Sequence, residues 1–412
     1  MDGSTVIRSG PVRYATAERF ARPRPVPADD TRPATGQLCP QPPSRLDAVM
    51  GPPGDRHPVG EDCLNLTVTT PARDGVARPV LVWFHGGGFS SGAGLRDWYD
   101  GGALAAEGDV VVVGVNHRLG ALGYLVLDGV SEGNLGLYDQ LEALRWVRDH
   151  IAAWGGDPGR VTVFGQSAGA LSIRLLMGMP EARGLFGRAI LQSPPLLIAA
   201  RPRDQARALG RLFADVLGAD PRTAPPDALL QAQGRTAAAH RRRTGSRLEP
   251  PFIPVTGAGP LGTPDAAFET NVRGMDVLYG WNADDMSAFL PGGGSGDSGA
   301  GSGEVAEETR RIYALPLARL GERLRRAGAR VHTYRLDWRP AGSPFGATHC
   351  VELPLLLGSR QAWRGAPMLG DLPWEDVAAL GTAVRAVWIS FARTGDPGPG
   401  PAPLNLEGPG GQ

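Results

Sequence analysis

The sequence Gly-Gln-Ser-Ala-Gly at 165–169 places one serine, Ser167, between two glycines. An apolar run at 161–164 precedes it and predicts a buried strand, and residues 170–179 follow a helical pattern. In the G-x-S-x-G motif, a sharp turn from strand to helix holds the serine hydroxyl clear of its own backbone, where it can attack a carbonyl carbon. Ser167 is therefore the predicted nucleophile of an acyl-transfer reaction.

Three glycines follow His85, at 86–88, directly after a second predicted strand at 79–84. Backbone N–H groups in such a loop can point at the oxyanion that forms during acyl transfer. Together the two motifs indicate a serine hydrolase, whereas a G-x-S-x-G match alone is weak evidence. A second match at 88–92 contains Ser90, but no clear helical stripe follows it. We interpret it as the end of the glycine loop and keep Ser90 as the alternative nucleophile.

The elements that must position these motifs alternate between strands and helices. Further apolar runs predict strands at 109–115, 188–192 and 331–336, and a helical pattern covers 138–147. Buried strands separated by helices indicate a mainly parallel sheet covered on both faces. Both motifs come at the carboxyl ends of strands, where such sheets bind ligands.

Three stretches stand apart from this alternation. Residues 201–243 are helical with proline breaks, and they predict a cap-like excursion over approximately 201–270. The tract at 292–303 is rich in glycine and serine, which predicts a flexible loop. The end of the chain, 395–412, is rich in glycine and proline and is predicted to pack poorly.

The composition excludes several classes of partner. The 412 residues carry 42 basic and 42 acidic side chains, so no net field favours nucleic acid or an anionic membrane. The apolar runs have the length of strands and are too short to span a membrane. The first residues lack the pattern of a secretory signal, which leads us to expect a cytoplasmic protein, with secretion left open. The sequence contains no cluster of metal ligands, and we expect no cofactor.

At this point the chain resembles the type-B carboxylesterases, the α/β-hydrolase family that includes para-nitrobenzyl esterases and cholinesterases. The stretches that carry the resemblance are 61–66, 85–89, 116–120, 133–140, 155–158, 165–169 and 184–193, with weaker matches at 280–285, 346–349 and 391–397. The resemblance implies one α/β-hydrolase domain over 1–412, with a mainly parallel central sheet flanked by helices. Because family members are generally longer, it also implies a reduced helical cap.

Carried over residue by residue, the resemblance implies Ser167 as nucleophile, His349 as general base, and the amides of Gly87, Gly88 and Ala168 as the oxyanion hole. The order of the α/β-hydrolase triad, serine then acid then histidine, supports His349 independently, since His349 falls in a loop after the last predicted sheet strand.

The sequence offers two candidates for the acid of the triad. The family usually has a glutamate followed by glycine where this chain reads Asp284-Asp285-Met286. Alignment favours Asp285, and Asp284 is the alternative. Aspartate can orient the histidine in this role, as it does in other triads.

The cysteines leave two alternatives open. Cys39 and Cys63 match the pair that forms a disulfide in secreted relatives, and two reduced thiols are the alternative. Cys350, next to His349, is interpreted as a small packed side chain.

The predicted function is that of a serine carboxylesterase, which hydrolyses small to medium uncharged esters through an acyl-enzyme intermediate. A small-molecule ester is the expected partner, and the oligomeric state is not predicted. Gln166 stands where cholinesterases have a glutamate, which disfavours cationic choline esters. The aromatic residues Trp83, Phe89, Trp98 and Phe289 suit apolar surroundings, and none is assigned as a substrate contact. A non-catalytic scaffold with the same fold, a lipase and a thioesterase are the alternatives.

Overall fold

The computed structural model of the protein describes residues 6–27, 30, 32–198, 200–245, 249–262, 265–290 and 303–408. The predicted glycine/serine loop at 292–303 lies outside these residues, apart from its last residue.

The strands run in chain order as follows: β1 Ile7–Arg8, β2 Val12–Arg13, β3 Ala15–Thr16, β4 Arg24–Pro25, β5 Asn65–Thr70, β6 Arg78–Phe84, β7 Val111–Val115, β8 Val126–Leu127, β9 Ser131–Glu132, β10 Gly156–Gln166, β11 Arg188–Gln192, β12 Arg201–Pro202, β13 Val255–Thr256, β14 Asp276–Asn282, β15 Arg330–Leu336 and β16 Leu404–Glu407.

The helices are α1 Asp47–Met50, α2 Gly102–Gly108, α3 Gly120–Tyr124, α4 Leu135–His150, α5 Ala168–Leu176, α6 Arg203–Leu217, α7 Pro226–Thr244, α8 Phe268–Asn271, α9 Gly303–Thr309, α10 Leu315–Arg326, α11 Leu353–Leu356 and α12 Trp374–Thr394. Among the described residues, none of these helices combines the length and the apolar composition needed to cross a bilayer.

One large sheet organises the molecule, in the order β1-β5-β7-β6-β10-β11-β14-β15-β16, with β2 also paired to β5. The six strands from β7 to β15 along this order run parallel to each other, and the strands at both edges are antiparallel. The predicted mainly parallel sheet is therefore confirmed. The carboxyl ends of β6, β10, β11 and β14 lie side by side, because Gly165 pairs with Phe84 and Gln192 pairs with both Gln166 and Gly280.

Helices cover both faces of the sheet, as alternate residues of β6 show. Val80 and Val82 belong to an apolar cluster with Leu144 of α4 and Ile173 of α5. Leu81 and Trp83 point to the opposite face, where they join a second cluster with residues of α2, α11 and α12. A fully buried strand needs apolar side chains on both faces, which is why β6 reads as one continuous apolar run.

The other predicted strands and helices differ from the structure mainly at their ends. The strand predicted at 188–192 has those bounds, whereas β7 begins at Val111 and the helix predicted at 138–147 extends over Leu135–His150. The helical segment at 201–243 forms α6 and α7, which pack against each other. Their assignment to a cap stays a prediction.

The prediction of poor packing at the end of the chain was wrong for residues 404–407. These residues form the edge strand β16, antiparallel to β15, and Leu404 pairs with Leu336. The side chain of Leu404 is buried in the apolar cluster around α12. A four-residue strand gains enough from one buried side chain and one ladder of hydrogen bonds to form within a glycine- and proline-rich stretch.

Candidate active site

Ser167 lies at the turn between β10 and α5. Its backbone has φ of 55° and ψ of −122°, a positive φ that is uncommon for a residue with a side chain. The surrounding structure holds this conformation, because the Ser167 amide donates to the Gln192 carbonyl at 2.8 Å and its carbonyl accepts from Leu171 at 2.9 Å. Strained backbone of this kind persists where neighbouring structure over-determines it. The geometry is that of a nucleophile elbow.

The two flanking glycines are required by the end of β6. A Cβ at Gly165 would lie 2.7 Å from the Phe84 carbonyl oxygen, and a Cβ at Gly169 would overlap with that same oxygen. A side chain at either position would therefore push the elbow away from the neighbouring strand. The motif's glycines bring β10, α5 and β6 together at one point.

The glycine loop at 86–88 packs directly against the elbow. A Cβ at Gly86 would lie 3.3 Å from the Ser167 Cβ atom, so the loop and the serine are neighbours. Gly87 and Gly88 have positive φ values of 112° and 62°. Their amides donate no hydrogen bond to any other described residue. Ala168, the third predicted oxyanion residue, is the first residue of α5.

Ser90 does not occupy a strand-to-helix turn. Its amide donates to the Gly87 carbonyl at 3.1 Å, and its hydroxyl donates to the Gly88 carbonyl at 3.2 Å. Both bonds close the turn that ends the glycine loop, which matches the interpretation of 88–92 from the sequence.

His349 and Asp285 form a buried pair. The distance from Nδ1 of His349 to Oδ1 of Asp285 is 2.7 Å, and both side chains are fully buried. The other carboxylate oxygen of Asp285 accepts from the Ser193 hydroxyl at 2.9 Å and from the Asn282 amide at 2.8 Å. A carboxylate held on both oxygens keeps the imidazole in the tautomer with its proton on Nδ1. The Nε2 atom is then left as an acceptor.

Asp284 has a different environment from Asp285. Its oxygens accept from the Arg339 guanidinium at 2.8 and 3.1 Å and from the Ala347 amide at 2.9 Å. These contacts fix the loop that carries His349, and they leave Asp285 as the aspartate next to the imidazole.

Gln166 contacts the free nitrogen of His349. The distance between Nε2 of Gln166 and Nε2 of His349 is 2.9 Å, and both side chains are buried. Within the described residues, no hydrogen bond joins the Ser167 hydroxyl to His349. The sequence singled out Gln166 only as a departure from cholinesterases and gave no sign of this contact.

A further buried carboxylate, Glu352, lies near the pair and was not predicted as a site residue. It accepts from the Asn282 side chain at 2.6 Å and from the Gln192 side chain at 3.3 Å. Burial and the nearby Asp285 carboxylate raise the pKa of Glu352. Its spacing, three residues after His349, was the available signal, but spacing alone cannot tell a buried carboxylate from an exposed one.

A cavity of about 350 Å³ opens beside the glycine loop. Its walls include Gly86, Gly87, Gln166 and Cys350 from the site, with Met50, Trp98 and Tyr99 among the apolar residues. Apolar walls with a few polar groups are typical of small-molecule sites. Of the other aromatic residues considered from the sequence, Phe289 lies 5.1 Å from the His349 ring, while Trp83 is core.

The three cysteines are free thiols in the structure, and all are buried. Cys63 hydrogen-bonds to Cys39, a contact that raises the pKa of the Cys63 thiol together with burial. Their pairing as a disulfide stays a prediction. Burial raises the pKa of Cys350, which therefore remains a protonated, packed side chain.

The fold and this site are those of a serine hydrolase of the α/β-hydrolase class, and comparison with known proteins identifies the family. The Carboxylesterase family matches residues 10–311, and the chain belongs to it.

Individual relatives match most of the chain. A probable N-octanoylanthranilate hydrolase of Rhodococcus erythropolis is 42% identical over 405 residues, which cover 93% of this chain and 88% of the relative. The para-nitrobenzyl esterase of Bacillus subtilis is 33% identical over 423 residues, which cover 92% and 83%. A solved structure of a PNB esterase superposes with a TM-score of 0.81 at 29% identity and covers 98% of this chain and 90% of that one. The chain is an ester-hydrolysing serine esterase, and a non-catalytic scaffold is not favoured.

Proposed function

We propose that Ser167, His349 and Asp285 form the catalytic triad of this esterase, with the amides of Gly87, Gly88 and Ala168 as its oxyanion hole. The observation that carries the proposal is the buried contact of 2.7 Å between His349 and Asp285, on the same edge of the sheet as the Ser167 elbow. Asp285 orients the imidazole and stabilises its charged form.

The reaction proceeds by acyl transfer in two halves. The Ser167 oxygen attacks the ester carbonyl while its proton moves to Nε2 of His349, and the carbonyl oxygen becomes an oxyanion. The amide donors stabilise that charge, and removing one such donor costs about 3 kcal/mol of barrier in comparable sites. The bond to the alcohol breaks as His349 protonates the leaving oxygen. Water then repeats the attack on the acyl-enzyme and releases the acid.

The substrate we propose is a small to medium uncharged ester with an apolar alcohol or aryl group. The cavity beside the glycine loop supports this choice, since Met50, Trp98 and Tyr99 line it and its volume of about 350 Å³ suits a single ring. The relative named for N-octanoylanthranilate supports a second candidate, in which the same residues cleave a medium-chain acyl group from an aromatic amine. A thioesterase or lipase reaction would use the same triad.

A series of para-nitrophenyl esters, from acetate to octanoate, tests the proposed function, with N-octanoylanthranilate as an additional substrate. Wild type should hydrolyse the esters, and Ser167→Ala should reduce kcat by at least about 10³-fold. Ser90→Ala is the matched control and should retain activity within about twofold. Activity that survives Ser167→Ala and disappears in Ser90→Ala would contradict the assignment.

A further inference from the structure

Gln166 contacts the His349 nitrogen that must receive the serine proton. In the resting geometry, the Nδ1 proton of His349 is donated to Asp285, so Nε2 carries a lone pair. An amide nitrogen can only donate, and the Gln166 carboxamide nitrogen lies 2.9 Å from that lone pair. Gln166 and the Ser167 hydroxyl are therefore competing donors for a single acceptor.

We propose that Gln166 is a positioning residue for the general base. Its carboxamide donates to His349 in the resting enzyme and accepts from His349 once the imidazolium has formed. This inference rests on the proposed function, because it needs Ser167 and His349 as nucleophile and base.

The two roles follow from the proton count. When the Ser167 oxygen bonds to the carbonyl carbon, its proton moves to Nε2, and His349 becomes a cation with N–H groups on both nitrogens. The carboxamide N–H would then face another N–H. A half-turn about the last side-chain bond of Gln166 exchanges nitrogen for oxygen, and the oxygen accepts from the cation. No proton enters or leaves Gln166, so the carboxamide serves both protonation states without a net charge.

The packing holds the carboxamide at this place. Gln166 is the last residue of β10 and pairs with Gln192 of β11. A Cβ at Gly86 would lie 2.6 Å from the Gln166 side-chain oxygen, so the side chain fills the space that the missing Cβ leaves. The Cys350 thiol also lies within hydrogen-bonding reach of the carboxamide. Side chains longer or shorter than glutamine would lose this placement.

The charged and titratable groups that face His349 come from several elements. Asp285 contacts it from the turn after β14, Glu352 and Cys350 belong to the segment that follows it, and the Tyr313 ring lies 5.7 Å away. A change confined to position 166 leaves all four in place. A shift in the pH dependence of such a variant therefore reports on the contact between position 166 and the base.

The test measures kcat/KM for a para-nitrophenyl ester between pH 5 and 9 in wild type, Gln166→Glu and Gln166→Met. The glutamate places a negative charge beside Nε2 and favours the protonated base. The midpoint of the acid limb should therefore rise by about one pH unit or more, and kcat/KM should fall about tenfold per unit of that rise at pH values below both midpoints. The methionine has a similar length but neither donates nor accepts in this way. It should lower kcat about tenfold or more, with the midpoint moved by less than about 0.3 pH unit.

Gln233→Glu is the matched control, because Gln233 is a buried glutamine that accepts from the Ala121 amide in another part of the fold. It should leave the midpoint of the acid limb unchanged. Titration of the reactive serine with an organophosphonate normalises each rate to correctly folded enzyme. If Gln166→Glu fails to fold, Gln166→Met provides the test: a loss of kcat supports the positioning role of Gln166, and full kcat overturns it.

An unchanged midpoint in Gln166→Glu together with full kcat in Gln166→Met, at normal serine titre, would overturn the role of Gln166 and leave the triad intact. A wild type that neither hydrolyses the ester nor reacts with the organophosphonate would instead overturn the proposed function.

Discussion

The Nδ1 atom of His349 lies 2.7 Å from Oδ1 of Asp285, and neither side chain is reached by solvent. The two residues are 64 positions apart in the chain, and the Ser193 hydroxyl and Asn282 amide hold the second oxygen of Asp285 in place. This pair gives the imidazole one defined tautomer, and the first prediction follows from it.

Asp285→Asn should lower kcat by about 10³- to 10⁴-fold at pH 7. An asparagine amide at this position can favour the wrong imidazole tautomer and cannot stabilise the imidazolium. Steady-state hydrolysis of para-nitrophenyl butyrate measures the effect. Asp284→Asn serves as the comparison, since Asp284 pairs with Arg339 instead. Asp284→Asn should lower the stability of the protein and affect kcat less. A larger loss of kcat in Asp284→Asn than in Asp285→Asn would make Asp284 the acid of the triad.

Gly169→Ala should prevent correct folding or destabilise the protein by several kcal/mol. The added methyl group would overlap with the Phe84 carbonyl oxygen and lie 2.7 Å from the His85 carbonyl oxygen, and these backbone atoms cannot swing away as a flexible side chain could. Urea denaturation followed by circular dichroism measures the change. In Gly234→Ala, on the exposed face of α7, the new methyl group meets nothing within 4 Å and should stabilise by up to about 1 kcal/mol. Equal effects of the two substitutions would contradict the packing at the elbow.

The sequence was sufficient for the parts of the site that depend on local backbone. The elbow at Ser167 and the glycine loop follow from glycine positions and adjacent apolar runs, and the structure forms both. The contact of Gln166 with His349 joins residues 183 positions apart, and no local pattern encodes it. The burial of Glu352 was hidden for the same reason. Residues 404–407 were misjudged because composition describes a stretch on average, whereas a short edge strand needs only one buried side chain.

The stability of the protein should fall as the pH drops from 7 to 5. His85 and His117 stack with ring centroids 4.5 Å apart. Burial lowers the pKa of His85 to about 4, and burial also lowers the pKa of His117 well below its ordinary value. The unfolded chain, with histidine pKa values near 6.5, then binds more protons than the folded one below that pH. The contribution of the two histidines to stability is therefore fully present above about pH 6.5. It is lost as the pH falls toward 4, by up to about 1.4 kcal/mol per pH unit for each histidine.

Urea denaturation at pH 7 and pH 5 measures how the free energy of unfolding changes with pH. His117→Gln should reduce this change by the contribution of about one proton taken up on unfolding. His150→Gln, at an exposed histidine away from this stacked pair, is the control substitution. A protein that is equally stable at both pH values would contradict the expected proton uptake on unfolding.

Removing one partner of the buried ion pair between Arg118 and Asp139 should destabilise the protein far more than removing one partner of an exposed pair. Asp139 accepts from the Arg118 side chain at 2.6 and 2.9 Å, and both are buried. Asp139→Asn should cost about 3–5 kcal/mol because it leaves a buried charge uncompensated. Asp149→Asn breaks the exposed pair with Arg148 and should cost less than about 1 kcal/mol. Chemical denaturation compares them, and similar costs would contradict the burial of Arg118.

Covalent labelling identifies the nucleophile of the esterase. Wild type is treated with a para-nitrophenyl alkylphosphonate, digested and analysed by tandem mass spectrometry. We expect one phosphonyl group per chain, on Ser167, with its loss in Ser167→Ala. An adduct on Ser90 or another residue, or a fully folded protein that takes up no label, would contradict it.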